Sequence, residues 1–200
     1  VSARDRHVPE PGEDLPDPLD LLASWLGPVP GAEPPLMTLA TREIDGAPDA
    51  RTVMVNGCNG ERISFHSDSR ARKVAQLTAY PYAVGVLVWP EEARQLVVAG
   101  ATERATDDEA ARLFEACPRD LQLLAWLNDP RLARLPREER QEEWRRFDEA
   151  HPVLVPPPTW LCFHLVPQRL TFWAGDDDGP STRCEARREG DDWTVHRLPG

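Results

Sequence analysis

Two hundred residues are enough for one full domain core and short for two. Hydrophobic residues make up 40% of the chain, and no apolar run approaches the ~18–20 residues of a membrane span. A formal net charge of −11 argues against a general nucleic-acid binder, which needs a basic footprint.

The opening stretch, VSARDRHVPEPGEDLPDP, is polar and Pro-rich. It does not have the make-up of a signal peptide and reads as a flexible arm over residues 1–16, ahead of a single domain over 17–200. Cys58, Cys117, Cys162 and Cys184 are far apart and form no C-x-x-C. That usage suits free thiols in a reducing cytoplasm, the expected location. No metal site is expected.

Asp17 and Pro18 open a short helix through LDLLASWL as N-cap and first helical residue, and Gly27 and Pro28 stop it. GAEPP at 31–35 is a loop. LMTLAT (36–41) and RTVMV (51–55) read as strands, NGCNG (56–60) as a tight hairpin loop, and RISFHS (62–67) as the third strand of a meander. SRARKVAQLTAY (69–80) has helical spacing, with Val74 and Leu77 on one side. YAVGVLVW (82–89) and RQLVVAGATER (94–104) are strands in which Gly85 and Gly100 suggest bulges or close backbone approach.

Thr106 and Glu109 form a capping box for a helix that breaks at Pro118 and restarts at Arg119. A polar helix follows over 136–150, then the extended PVLVPPP. Strands return at 159–167, 169–175, 183–190 and 192–198. Strand meander, helices, strand meander: this order fits a mainly β fold, an antiparallel barrel with helices inserted between its halves.

Basic residues gather at Arg51, Arg70, Arg72 and Lys73, near a helix start where a phosphate would be favoured. Spacing alone favours a solvated helix face. The blocks RTVMVNG, FHSDSRARK, WPEEARQLVVAGATER, PRDLQLLAW and PPTWLCFHLVPQRLTFWAG add weight when read together. In order and spacing, over roughly residues 15–199, the chain resembles the FMN-binding split barrels of the pyridoxine 5′-phosphate oxidase family.

The resemblance implies a split β-barrel of Greek-key type and a homodimer with FMN at its interface. The matched cofactor positions are Arg51, Thr52, Val53, His66, Ser67, Arg72, Lys73, Gln95, Trp173 and Arg183. Arg51, Arg72 and Lys73 would take the FMN phosphate, Gln95 the flavin ring, and Trp173 and Arg183 would close the pocket from the other subunit. Ser67 stands for the family's usual Thr and His66 for its usual Tyr. Pro130-Arg131 replaces a Gln-Ser pair. F420 or haem, used by related barrels, remain open.

The substrate half of the pattern has changed. The family's Tyr, Arg and Ser of the phosphate cradle are Leu113, Cys117 and Leu121 here, and its strand Lys is Asn56. An Arg and a His over the pyridine ring become Gly179 and Ser181. Burying a phosphate dianion against two Leu and a Cys costs several kcal/mol or more. The expected activity is therefore FMN-dependent oxidation of a flatter, less charged, conjugated substrate, with oxygen as acceptor and without competence toward pyridoxine 5′-phosphate. A flavin or F420 reductase, a genuine B6 oxidase and a non-catalytic flavin- or haem-binding dimer are the alternatives. His66 is the one acid–base candidate; a strand histidine bonded to a neighbour is the favoured reading. His164 and Cys117 read as structural, Asp176-Asp177-Asp178 as a solvated turn, and Trp25, Trp126, Trp144 and Trp160 as core or interface residues.

Overall fold

The computed structural model describes residue 8, residues 16–27 and residues 34–200. Most of the expected arm, and residues 31–33 of the first expected loop, lie outside these. Val8 is described and is buried in the main core.

Helix α1 spans Pro18–Leu26; the Asp17 carboxylate accepts from Leu19 N at 2.7 Å, and Gly27 ends the helix at φ 66°. Eight strands follow: β1 Leu36–Arg42, β2 Pro48–Cys58, β3 Ile63–Asp68, β4 Tyr82–Trp89, β5 Arg94–Arg104, β6 Trp160–Ala174, β7 Thr182–Glu189 and β8 Asp192–Pro199. Helix α2, Arg72–Ala79, separates β3 from β4. Helices α3 Asp107–Glu115, α4 Arg119–Leu127, α5 Pro130–Ala133 and α6 Arg137–Ala150 separate β5 from β6. The Thr106–Glu109 capping box forms as expected.

The strands pair antiparallel in the order β3-β2-β1-β4-β5-β6, and β3 pairs with β6 to close a six-stranded barrel. Strand β6 divides its free edge. Residues 160–165 pair with β3, whereas 169–174 pair with β7, which carries β8 outward as a wing. The expected pair of strands over 159–175 is thus one strand, with an irregularity at Pro167–Gln168 opposite Ala99–Gly100. The irregularity reverses which residues face inward: Phe163 and Leu165 enter the barrel core before it, Leu170 and Phe172 after it. Gly100 is needed there, because a Cβ would lie 1.9 Å from Val166 O. Gly85 likewise lies under Met37, whose Sδ would be 2.3 Å from a Cβ.

Two cores result. Alternate residues of the barrel strands, joined by Leu22 and Trp25 of α1, fill the interior. A second core, with Phe114, Cys117, Leu123, Trp160 and Cys162, binds α3 and α4 to the outer face of β6. The expected hairpin loop at 56–60 is corrected: β2 continues to Cys58, and Asn56 is the extra residue of a β-bulge between Val55 and Gly57. Burial against α3 overrides the turn preference of the Asn-Gly pair.

Candidate active site

The sequence-derived positions fall into two clusters. The first lies between the outer face of β2 and β3 and helix α4. It is a cavity of about 320 Å³ whose walls include Thr52, Val53, Met54, His66, Ser67, Lys73, Leu121, Leu124 and Trp160. The second is a cavity of about 450 Å³ on the outer face of β5, β6 and β7, lined among others by Gln95, Arg169, Trp173, Arg183 and Glu185. Strand register explains the second: Gln95 pairs with Trp173, and Trp173 with Arg183, so three adjacent strands present the three side chains in one row.

In the first cavity Lys73 Nζ donates to Ser67 Oγ at 3.2 Å. Burial, then repulsion from Arg51, pushes the Lys73 pKa down, while Asp68 pulls it up. The Asp68 carboxylate is itself held by Arg70 at 2.6 Å. Lys73 forms no ion pair among the described residues, so a half-buried ammonium faces the cavity without full charge compensation. An anionic group there would supply it.

Arg51 and Arg72 do not line this cavity. The Arg51 guanidinium donates to Leu39 O, Thr41 Oγ1, Asp49 Oδ2 and Gln76 Oε1. Arg72 is 79% exposed and stands 3.5 Å from Asp49 and 3.6 Å from Glu43. The residue holding this arrangement is buried Gln76, whose Nε2 also donates to Asp49 at 2.9 Å.

His66 stacks on Trp160, ring centroids 4.3 Å apart. Its Nδ1 lies 2.7 Å from Asn56 Oδ1, and Asn56 Nδ2 donates to Cys117 Sγ at 3.3 Å. Cys117 Sγ donates in turn to Leu113 O at 3.2 Å. A carbonyl oxygen can only accept, so His66 carries its proton on Nδ1 and leaves Nε2 as the basic nitrogen. Burial, then the charge of Lys73, pushes the His66 pKa down to about 4. Burial raises the Cys117 thiol to about 11, an inert state.

The substrate-side positions are thus drawn together in part. Asn56, Cys117 and Leu113 form one hydrogen-bonded chain ending on His66, and Leu121 lines the cavity beside it. Gly179 is in the exposed turn after β6. Ser181 packs against Gly200 at the rim of the second cavity. His164 bonds Ser64 Oγ at 2.9 Å, and Asp178 N donates to Asp176 Oδ1 within an exposed turn. Trp160 is the wall residue that sequence reading left among core or interface tryptophans. Pairing of Trp160 with Asp68 across β3–β6 brings it to this face.

The chemistry of the first cavity fits a flavin monophosphate: an uncompensated lysine with a hydroxyl at one end, and Val53, Met54, Leu121 and Trp160 as walls for a ring system.

Residues 31–151 match the family model described as pyridoxamine 5′-phosphate oxidase. A pyridoxine/pyridoxamine 5′-phosphate oxidase of Rubrobacter xylanophilus is 34% identical over 195 residues, covering 94% of this chain and 89% of its own length. The protein of the same name from Thermobifida fusca is 35% identical over 196 residues, covering 92% and 88%. Among solved structures, PhzG from Burkholderia lata, in complex with tetrahydrophenazine-1-carboxylic acid, superposes with a TM-score of 0.74 at 24% identity, over 84% of this chain and 83% of that one. A pyridoxamine 5′-phosphate oxidase-related, FMN-binding protein of Nostoc punctiforme superposes at 0.56 and 18% identity, over 82% and 88%. These two structures establish likeness of fold. No helix is long and apolar enough to cross a membrane among the described residues.

Proposed function

The chain belongs to the pyridoxamine 5′-phosphate oxidase family of flavin-binding split barrels, and from that premise we propose that it is an FMN-dependent oxidase whose substrate is a conjugated ring without a B6-type phosphate. One observation carries the reading. The positions that would grip a substrate phosphate are occupied by Asn56, Leu113, Cys117 and Leu121, and three of them are closed into a neutral hydrogen-bonded chain. No cation stands among the four. A dianion seated on these four side chains would gain no charge compensation from them, at a cost of several kcal/mol; Arg62 and Arg112 line a neighbouring pocket with Asn56 and Leu113, and Arg62 is already paired with Glu109 at 2.9 Å.

FMN, when bound, supplies a two-electron acceptor that oxygen can reoxidise. The chain's own residues do the positioning. Lys73 and Ser67 hold the phosphate end in the first cavity, and Val53, Met54 and Trp160 wall the ring and exclude water. Gln95, Trp173 and Arg183 line a separate cavity of the same chain. They reach a flavin only if a second copy brings its row of strands β5–β7 against the first cavity, so a homodimer completes the site. His66 presents an unprotonated Nε2 on the wall of that cavity, a hydrogen-bond acceptor for the substrate rather than a strong base, since its pKa is held at about 4.

On the α4 side of the cavity, Leu121 and Leu124 leave an apolar wall for a fused ring, of the kind that PhzG holds in its complex with tetrahydrophenazine-1-carboxylic acid. The test is direct. Purified protein reconstituted with FMN is assayed for hydrogen peroxide with pyridoxine 5′-phosphate and with reduced polycyclic aromatics. Turnover of the latter alone supports the proposal; turnover of pyridoxine 5′-phosphate at a rate typical of its relatives overturns it.

A further inference from the structure

A groove of about 740 Å³ lies between α4, α5 and α6. Its floor is Leu124, Leu127, Leu132 and Trp144. Its rim carries Arg137, Arg140, Gln141 and Arg145, the groove-facing stripe of α6 with Trp144. Helical spacing produces this segregation: positions 137, 140, 141, 144 and 145 share one face, whereas Glu138, Glu139, Glu142 and Glu143 do not line the groove. In a chain of net charge −11, cations are thus concentrated on one apolar depression.

The charges differ in how they are used. Arg145 is paired with Glu142 at 2.6 Å. Asp129, the groove's one carboxylate, is spent on capping α5, where it accepts from Leu132 N at 2.7 Å. Arg137 and Arg140 form no ion pair among the described residues. They sit at the start of α6, on the groove side, while Glu138 and Glu139 of the same turn lie off the groove. Leu124 is 42% exposed, apolar surface that this chain leaves open to solvent. Leu124 and Asn128 line both this groove and the cavity assigned to the flavin.

We propose that this groove binds an organic carboxylate with an apolar ring body, the carboxylate between Arg137 and Arg140 and the rings over Leu124, Leu127, Leu132 and Trp144. The volume is within the range that holds a ligand of two or three rings. Arg geometry suits a bidentate carboxylate, and the apolar floor gives no partners to a small hydrophilic anion such as free phosphate. The carboxylate end of the assignment is independent of the redox reading, because neither arginine lines the flavin cavity; Leu124 is shared by the two cavities.

The experiment uses the full chain saturated with FMN and compares 2-naphthoate with uncharged 2-naphthamide by calorimetry. Naphthoate is expected to bind at least tenfold tighter. The double variant R137Q/R140Q, altered only at exposed side chains, is expected to lose that advantage while binding naphthamide and FMN as the parent does. Equal binding of acid and amide, or an unchanged naphthoate affinity in the variant, overturns the proposal. So does sedimentation showing that R137Q/R140Q dissociates a dimer that excludes naphthoate, since the groove would then hold a second copy of the chain. Retained flavin absorbance in every arm keeps a failure here separate from a failure of the flavin assignment.

Discussion

His66 Nδ1 and Asn56 Oδ1 are 2.7 Å apart, and each stands where the family resemblance expects another side chain, tyrosine and lysine. The two departures are therefore one structural unit. A lysine at position 56 would leave the imidazole without its acceptor, and Asn56 also occupies the Cys117 thiol. Substituting Asn56→Leu strips both partners at once and is expected to cost about 1–3 kcal/mol of stability, read from urea unfolding, because a buried polar group is left unpaired. An unchanged midpoint would mean that the chain of bonds carries no energy.

The depressed His66 pKa gives a signed pH dependence. Folded His66 titrates near 4, whereas the unfolded residue titrates near 6.5. The unfolded chain thus takes up the proton first as pH falls. The contribution is complete above pH 6.5 and is lost progressively down to pH 4, about 3 kcal/mol at most. Depressed carboxylates such as Asp49 and Asp68 also weaken the fold in acid. The difference between parent and His66→Gln isolates the histidine: the parent should lose more stability between pH 6.5 and 4. Parallel curves would place the imidazole in solvent.

Restoring the cradle should restore an anion site. The variant N56K/L113Y/C117R/L121S is expected to bind pyridoxine 5′-phosphate at least tenfold more tightly than the parent, about 1.4 kcal/mol or more, by calorimetry. Cys117 is buried, so the folded state of the variant should be checked by near-UV dichroism. A folded variant with parental affinity would show that those four positions do not govern phosphate recognition.

The separation of the two cavities makes a complementation test possible. Lys73→Met and Arg183→Ala should each reduce FMN affinity by roughly ten- to a hundredfold, through loss of a charge-assisted contact. Refolding the two variants together should recover about a quarter of the parental flavin sites, because half of the dimers then carry one intact site of two. No recovery would place both residues in one chain's own pocket.

At Gly100 the expected cost is steric. Gly100→Ala puts a methyl group 1.9 Å from Val166 O, backbone that cannot step aside cheaply. A loss of roughly 2–4 kcal/mol is expected from thermal or urea unfolding. A loss under about 0.5 kcal/mol would show that the β5–β6 irregularity is pliable.

Much of the fold was legible because local chemistry and tertiary structure agree. Asp17, Thr106 and Glu109 cap the helices they were expected to cap, and Gly85 and Gly100 mark close approach. Misreadings arose where a long-range partner decided the outcome. The Asn-Gly at 56–57 reads as a turn, yet burial against α3 keeps it in β2 as a bulge. Pro167 reads as a strand end, yet β6 passes through it because Gly100 opposite makes room. Gln76 gives no signal in sequence, since its role depends on Thr41, Arg51 and Asp49 arriving from two other elements. The expected cofactor positions rest on a family pattern; strand pairing sets some of them in two separate cavities and leaves Arg51 and Arg72 in neither.

The irregularity at Pro167–Gln168 sets the phase of one long strand, and so works as a coupling between two otherwise separate halves. Upstream, odd-numbered side chains point inward; downstream, even-numbered ones do, which sends Arg169, Thr171 and Trp173 outward. Gln168 is the unpaired residue of that irregularity: Gly100 pairs with Pro167 and Ala99 with Arg169, so deleting it would keep both registers and leave Leu170 and Phe172 inward. What the deletion would remove is the local bend between the half of β6 that closes the barrel and the half that carries the wing, so one residue of length sets the angle at which the Trp173 row leaves the barrel.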